Sequence, residues 1–155
     1  FPDFRVEENL KRIIQKLISS SQKVYLQTFD PERIIFQNLT DLANFYNNEL
    51  ELRRRYFYPP YSEIIKIIIK TKKENEGEAL GKSCYKILKE KIKEFFENET
   101  YQLSPPLPSF PGKIKGYFFK EINWRLTKDE RLIEKRNQVL NFLPPKVIIK
   151  IDPYD

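Results

Sequence analysis

The chain has 155 residues, of which 40% are apolar, and it carries a formal net charge of +6. No apolar run approaches the ~20 residues that a bilayer span needs, so the composition predicts a soluble, globular chain with one domain, or one domain and part of another. A single cysteine, Cys84, and the absence of histidine exclude a disulfide framework and the usual zinc, haem and Ser-His or Cys-His sites, and they favour a reduced, cytoplasmic setting.

The positive charge is concentrated in the second part of the chain. Residues 1–60 carry 9 basic and 8 acidic side chains, whereas residues 61–155 carry 19 and 14. This excess is compatible with a polyanionic partner, because each phosphate that Lys or Arg neutralises releases a condensed counterion. A merely solvated lysine-rich surface explains it equally well. Methionine is absent, and we therefore expect the sequence to be a fragment of a longer protein.

Residues 1–58 are predicted to form a helix, a strand and two further helices. Apolar residues at helical spacing in "RVEENLKRIIQKLI" indicate an amphipathic helix that Asp3 can cap, and the alternation in "KVYLQTF" is typical of a strand. "FDPERIIFQNL" and "TDLANFYNNELELRRR" predict two helices. In the last turn, Arg53, Arg54 and Arg55 meet the negative end of the helix dipole, and two prolines then stop the helix. The segment "RRRYFYPPY" therefore has two compatible explanations: it forms a rigid boundary between two structural units, and its arginines bind phosphate.

Residues 59–155 are predicted to form a second unit with a different pattern. "SEIIKIIIKTK" predicts a strand, and "EALGKSCYKILKEKIKEFFEN" predicts a long helix whose lysines, interleaved with glutamates, form a solvated face. The four prolines of "YQLSPPLPSFPGK" indicate an edge strand that runs into an extended loop. "KIKGYFFKEINWRLT" is interpreted as one strand, with Lys120 marking a bulge or the point where the strand leaves the core. A helix in "KDERLIEKRNQVLNFL" and a strand in "KVIIKIDPYD" complete the unit.

This order of elements predicts an α/β fold of the α+β kind. The sequence β-α-β-β-α-β is that of ferredoxin-like domains, in which four antiparallel strands carry both helices on one face. We expect the opposite face of the sheet to be free for a partner.

Several segments resemble the C-terminal region of the primosomal protein N prime family, the PriA-like replication-restart helicases. They are "FPDFRVEEN", "YLQTFDPE", "DLANFYNNELELRRRYFYPPYSEIIKI", "LSPPLPSFPGKIKGYFFKEINWRL" and "VIIKIDPYD". The resemblance implies that residues 1–58 are the end of the second helicase lobe and that residues 59–155 are the C-terminal domain, with a fold like ribosomal protein S10. It also implies ATP-driven 3′ to 5′ unwinding of branched DNA by the parent protein, and contacts of the C-terminal domain with DNA and with single-stranded DNA-binding protein.

The chain departs from that family in its ATPase motif. After "PDFR" the family shows a Gln and then a Gly-Arg-x-Gly-Arg motif that serves ATP hydrolysis, whereas Gln15 is followed here by "KLISSSQK". The phosphate-binding loop and the zinc-binding cysteine cluster of the family are also missing from the sequence. We therefore expect no ATP or zinc site and no catalysis in this chain, although an active helicase in which another segment replaces the motif remains an alternative.

The candidate DNA-binding residues are cations and aromatic residues that can hold phosphates and stack on bases without reading sequence. They are Arg53, Arg54, Arg55, Lys113, Lys115, Tyr117, Phe119 and Arg125. The alternative is that the two aromatic residues pack beneath the proline loop and that Arg125 pairs with Glu121 or Asp129. If the first interpretation holds, the chain docks a helicase-type protein on branched or single-stranded DNA during replication restart.

A second candidate site would bind protein. The acidic, aromatic-tipped tail of single-stranded DNA-binding protein needs a small apolar pocket rimmed by cations, and Arg131, Lys135 and Arg136 on the last helix can form such a rim. A solvated helix face is the alternative. An adaptor for this protein and for other primosome proteins, with little DNA contact and no membrane contact, is accordingly a further hypothesis for the chain.

Overall fold

The computed structural model describes residues 5–37, 39 and 41–153. The chain divides into two units, Phe1–Tyr56 and Phe57–Asp155. Asp3, the predicted cap of the first helix, lies outside the described residues.

The described residues of the first unit form three helices around a small apolar core. Helix α1 is Val6–Ser20, α2 is Ile34–Gln37 and α3 is Leu42–Arg55. The Asp41 carboxylate caps α3 by accepting a hydrogen bond from the backbone N–H of Asn44 at 2.9 Å. Ile14, Ile35 and Phe45, one from each helix, are buried against one another.

The strand predicted in "KVYLQTF" is wrong. Residues 23–28 have no regular secondary structure, and Tyr25 and Phe29 are 82% and 106% exposed. A strand needs a neighbour for its backbone hydrogen bonds, and the described residues of this unit form no other strand. The sequence has the residue alternation of a strand, but the described residues of this unit provide no second strand to pair with it.

In its described residues, the second unit is a five-stranded antiparallel sheet with two α-helices. In chain order it contains β1 (Ser62–Thr71), α4 (Glu74–Phe95), β2 (Tyr101–Leu103), β3 (Leu107–Ile114), β4 (Tyr117–Thr127), α5 (Ile133–Asn141) and β5 (Val147–Ile151). The strands lie in the order β2-β4-β1-β5, and β3 also pairs with β4. The predicted β-α-β-β-α-β arrangement is therefore confirmed, with its second strand divided into β2 and β3.

The core of this unit lies between the sheet and the two helices. Alternate residues of β1 and β4 face the apolar stripe of α4, and α5 closes the remaining side. The Trp124 ring packs edge-on against Phe96, with ring centroids 5.4 Å apart. The fully buried members are Ile65, Ile67, Ile69, Cys84, Leu88, Ile92, Phe96, Ile122, Trp124 and Val139.

The single strand predicted over "KIKGYFFKEINWRLT" is wrong, because this segment is a β-hairpin. Lys115 and Gly116 have φ values of +48° and +81°, and Ile114 pairs with Tyr117 across them. Two consecutive residues with positive φ are typical of a type I′ turn, which matches the twist of the flanking strands. The hairpin therefore reverses the chain at the point where the sequence had predicted continuous alternation.

The bulge predicted at Lys120 is also wrong. Pairing between β1 and β4 keeps one register from Ser62–Thr127 to Thr71–Phe118, and Lys120 lies opposite Ile69 within it. The lysine is accommodated because its ammonium group reaches Glu78 at the start of α4, 3.4 Å away. The irregularity lies instead on β3, between Pro108 and Lys113.

None of the helices in the described ranges is long and apolar enough to cross a membrane.

Candidate nucleic-acid interface

The end of the β3–β4 hairpin carries a cluster of cations and aromatic rings. The Lys70 ammonium lies 4.2 Å from the centroid of the Tyr117 ring and 5.9 Å from that of Phe119. Both rings are half-buried, and Lys113 and Lys115 are exposed at the tip. We call Lys70, Phe110, Lys113, Lys115, Tyr117 and Phe119 the hairpin surface.

The hairpin surface wraps around the end of the sheet. Lys113 pairs with Phe118 across the hairpin, and its ammonium lies 4.7 Å from the centroid of that ring. Because side chains alternate along a strand, Lys113 lies on the face opposite Tyr117 and Phe119. The two-residue turn sets which residues of β3 lie beside those of β4, and it places Lys113 beside Phe118.

Arg125 does not belong to the exposed surface. Its side chain is buried, its guanidinium lies 4.1 Å from the centroid of the Tyr58 ring, and it donates a hydrogen bond to Gln102 Oε1 at 3.1 Å. Tyr58 thus covers this part of the sheet, and the neighbouring Asn123 is buried too. The alternative interpretation pairs Arg125 with Glu121 or Asp129, whereas the contacts described here are with Gln102 and Tyr58. The face opposite the helices is only partly free.

The three arginines of α3 have different surroundings within the first unit. Arg53 is half-buried and donates to Glu8 at 2.8 Å and to Glu49 at 3.0 Å. Arg54 and Arg55 are exposed, and the Arg55 guanidinium lies 5.8 Å from the centroid of the Tyr56 ring. Arg53 therefore holds α1 and α3 together, while the other two reach the surface.

Two residues of the hairpin surface were missed by the sequence analysis. Lys70 lies on β1, opposite Phe119, and only the register of the sheet brings it to Tyr117. Phe110 is 102% exposed and lies in the irregular part of β3. Its position between Pro108 and Pro111 could have indicated this exposure, because prolines mark edge strands and bulges, where a side chain has fewer neighbours to pack against.

Of the three predicted protein-binding residues, two are exposed and one is buried. Arg131 is exposed, and its guanidinium donates to Asp129 at 2.5 Å, which lowers the pKa of that carboxyl to about 2. Lys135 is exposed. Arg136 is buried and donates to Glu63 at 2.5 Å, so it stabilises the unit and cannot form a rim.

A pocket of about 310 Å³ opens between α4 and α5. It is lined by Phe95, Gln138, Asn141 and Phe142, and the centroids of its two aromatic rings are 6.4 Å apart. The Lys91 ammonium lies 4.5 Å from the centroid of the Phe142 ring. An apolar cavity with a cation beside it is what a peptide with an aromatic and an acidic group requires.

Cys84 and Gln15 are the two residues at which the sequence departs from the zinc and ATP motifs of the PriA-like family, and both have contacts within the fold. Cys84, the single cysteine, is buried in the core, and burial raises the pKa of its thiol. Gln15 lies within α1, where its side-chain amide donates to the backbone carbonyl of Leu39 at 2.6 Å, and the helix continues to Ser20. Residues 16–20 of the segment that follows Gln15 are thus helical.

The fold and this surface define a class, an α+β domain that presents cations and aromatic rings at the end of a hairpin. No family model matches the chain. The chain is 28% identical over 133 residues to replication restart protein PriA of Thermotoga maritima, a match that covers 84% of this chain and 17% of that protein. It is 29% identical over 142 residues to replication restart protein PriA of Borreliella burgdorferi, covering 86% and 21%.

The resemblance found in the sequence is thereby confirmed: the chain is similar to part of the PriA proteins. It spans about a fifth of the length of these curated relatives.

Proposed function

We propose that this chain is the DNA-docking part of a PriA-like protein and holds branched or single-stranded DNA during replication restart. The hairpin surface would contact phosphates through its lysines and stack bases on its aromatic rings, without reading sequence. The observation that carries the proposal is the clustering of Lys70, Tyr117 and Phe119 beside two exposed lysines and an exposed phenylalanine.

The exposure of Phe110 supports base stacking. A phenylalanine that is 102% exposed gains nothing from burial in the folded chain, and Pro108 and Pro111 restrict the backbone around it. A base that stacked on this ring would cover apolar surface that the folded chain leaves exposed. Lys113 and Lys115 follow within five residues and can hold the adjacent phosphates.

The proposal is tested by binding of labelled fork and single-stranded DNA, measured by fluorescence anisotropy. We expect Phe110→Ala combined with Lys113→Gln and Lys115→Gln to weaken binding by roughly 10–100-fold, since stacking alone is worth ~1–3 kcal/mol per base. The matched control is Phe29→Ala with Lys16→Gln and Lys23→Gln, which removes an equally exposed ring and two exposed lysines from the first unit. Absence of binding by the unmodified chain at low salt would refute the proposal.

The α4–α5 pocket favours a second candidate function, docking of the acidic, aromatic-tipped tail of single-stranded DNA-binding protein. Lys135 precedes Gln138 by three residues and Phe142 by seven, so it lies on the face of α5 that lines the pocket. Arg131, one turn earlier, would extend the cationic rim. The aromatic tip would enter between Phe95 and Phe142, and the acidic residues would meet Lys91 and Lys135.

Titration with a peptide of this composition tests the second function. We expect Phe142→Ala and Lys135→Gln each to weaken peptide binding, because one removes a wall of the pocket and the other a cation at its rim. Lys146→Gln is the control, because it changes an exposed lysine that lies outside α5 and does not line the pocket. Equal effects of Lys135→Gln and Lys146→Gln would contradict a specific rim.

A further inference from the structure

Four lysines form a line along the solvent-exposed side of α4. They are Lys82, Lys86, Lys89 and Lys93, and all four are exposed. Their spacing of four, three and four residues keeps them within about 60° of one another around the helix and spreads them over about 16 Å of its axis. The buried residues of α4, among them Cys84, Leu88 and Ile92, lie almost opposite. We call these four residues the lysine stripe.

The acidic residues of α4 do not neutralise the lysine stripe. Glu76 pairs with Lys73 at 3.6 Å, Glu78 with Lys120 at 3.4 Å and Glu94 with Lys91 at 2.7 Å. Within the part of the chain that the structure describes, none of the four stripe lysines forms an ion pair. Glu78 lies four residues before Lys82 and Glu90 lies four residues after Lys86, so each is one helical turn from a stripe lysine. The glutamates that the sequence interleaves with these lysines are thus mostly engaged elsewhere.

The chemistry of the lysine stripe selects its partner. A membrane surface requires an apolar helix face beside the cations, and the apolar face of α4 is buried in the core. An acidic peptide requires apolar pockets for its anchor residues, and the four lysines of the stripe provide no such pocket. A row of single, flexible point charges about 4–6 Å apart matches a repeating anion, which is the phosphodiester backbone of a nucleic acid.

We infer that the lysine stripe is a second phosphate-binding surface, which takes the backbone of one nucleic-acid strand separately from the hairpin surface. The inference rests on the proposed function, since it adds phosphate contacts to the same DNA-docking unit. It differs from that function in its residues and its chemistry: the stripe has no aromatic ring, so its contribution is purely electrostatic and independent of base stacking.

Salt dependence separates the two surfaces. In the 155-residue chain, we expect Lys82→Gln, Lys86→Gln, Lys89→Gln and Lys93→Gln together to reduce the slope of log affinity against log salt concentration by roughly 2–4, because each phosphate contact contributes ~0.7–0.9 to the slope. The corresponding Lys→Arg variant should retain the slope, since arginine keeps the charge. Binding is measured with a labelled single strand and a labelled duplex, and Trp124 fluorescence verifies that each variant is folded.

The control has the same net charge but changes other exposed lysines, namely Lys16, Lys23, Lys146 and Lys150, to Gln. A much smaller change of slope in this control than in the stripe variant supports the inference. Equal changes in both would overturn it, because they would show an effect of net charge alone. If the stripe variant keeps the slope of the unmodified chain while the hairpin variant binds DNA more weakly, the inference is overturned and the proposed function stands. If the unmodified chain does not bind DNA, both are overturned.

Discussion

Arg136 shows how a residue that looks like a binding cation can serve the fold. It is 7% exposed, it donates to Glu63 on β1 at 2.5 Å, and it also donates to the side chain of Asn137. Removing one partner of such a pair leaves the other charge buried without compensation. The sequence showed a basic residue on an amphipathic helix, but its burial depends on β1, which lies 73 residues away.

Glu63→Gln is therefore expected to lower the free energy of unfolding by about 1–3 kcal/mol. The measurement is urea unfolding followed by the fluorescence of Trp124, the single tryptophan, which lies in the same unit. Glu94→Gln serves as the control, because it breaks the exposed Lys91–Glu94 pair and should cost about 0.5 kcal/mol or less. Similar losses in the two variants would contradict a structural role for the buried pair.

The Asp129–Arg131 contact predicts a pH dependence at the acidic end. The pKa of Asp129 is about 2 in the folded chain, below its ordinary value of 3.8, chiefly because the Arg131 side chain donates to it. A lowered pKa contributes stability above the ordinary value, and this contribution is lost as the pH falls from about 4 towards about 2. The loss should be absent in Asp129→Asn, which retains the capping oxygen for the backbone N–H of Arg131.

The measurement is the melting temperature of the unmodified chain relative to Asp129→Asn, taken at successive pH values. We expect a constant difference from neutral pH to about pH 4.5 and a shrinking difference below it, because the carboxylate then becomes protonated. Arg131→Gln should remove most of this effect, since it removes the cause of the shift. A difference that persists undiminished to pH 2 would contradict the contact.

At the scale of elements, the β3–β4 turn is the feature on which the hairpin surface depends. Gly116 has a φ of +81°, and a Cβ added there would meet nothing within 4 Å. Gly116→Ala therefore isolates the cost of placing a side chain in the left-handed region, about 1 kcal/mol. Gly112→Ala is the matched control, because its Cβ would make only an ordinary contact with the Ser109 carbonyl at 3.5 Å and its φ is not in that region.

The two glycine variants are compared by urea unfolding and by DNA binding. We expect Gly116→Ala to lose stability and to weaken DNA binding, because strain in the turn displaces Lys113 and Lys115 at the tip of the hairpin. Gly112→Ala should change the free energy of unfolding by less than about 0.5 kcal/mol. An equal loss of stability in both variants would refute the role of the left-handed turn.

The elements that the sequence predicted correctly are those with long periodic patterns. The isoleucines of β1 and the stripe of Cys84, Leu88 and Ile92 in α4 each repeat often enough to fix both the type of element and its buried face. The hairpin was missed because the Lys-Gly turn interrupts alternation without any Pro, Asn or Asp to mark it. The strand predicted in "KVYLQTF" is absent because alternation of residue types does not show whether a neighbouring strand is available for pairing.

The candidate site could be predicted only in part for a related reason. Residue types identified Lys113, Lys115, Tyr117 and Phe119 as cations and rings on neighbouring positions, and these remain together at the hairpin. Lys70 lies beside them because β1 pairs with β4, and Arg125 is not part of the exposed surface because Tyr58 covers it. Both outcomes depend on contacts between residues more than 45 positions apart in sequence, which no local pattern records.

At the scale of the whole molecule, the two units differ greatly in the size of their cores. Among the described residues, the first unit buries Ile14, Ile35 and Phe45, whereas the second buries a cluster of 14 apolar residues. Buried apolar area supplies most of the stability of a domain, at about 25 cal/mol per Å², so a core of three side chains stabilises only weakly. The first unit should therefore unfold before the second.

Unfolding by urea should accordingly show two transitions. Far-UV circular dichroism reports helices of both units and should change in two steps, whereas Trp124 fluorescence reports the second unit alone and should change only in the step at higher urea. Ile14→Ala should move only the first transition and Leu88→Ala only the second, because each removes side-chain contacts from one core; the expected cost is about 2–5 kcal/mol in the larger core. Coincident transitions that shift together in both variants would show instead that the two units unfold as one cooperative structure.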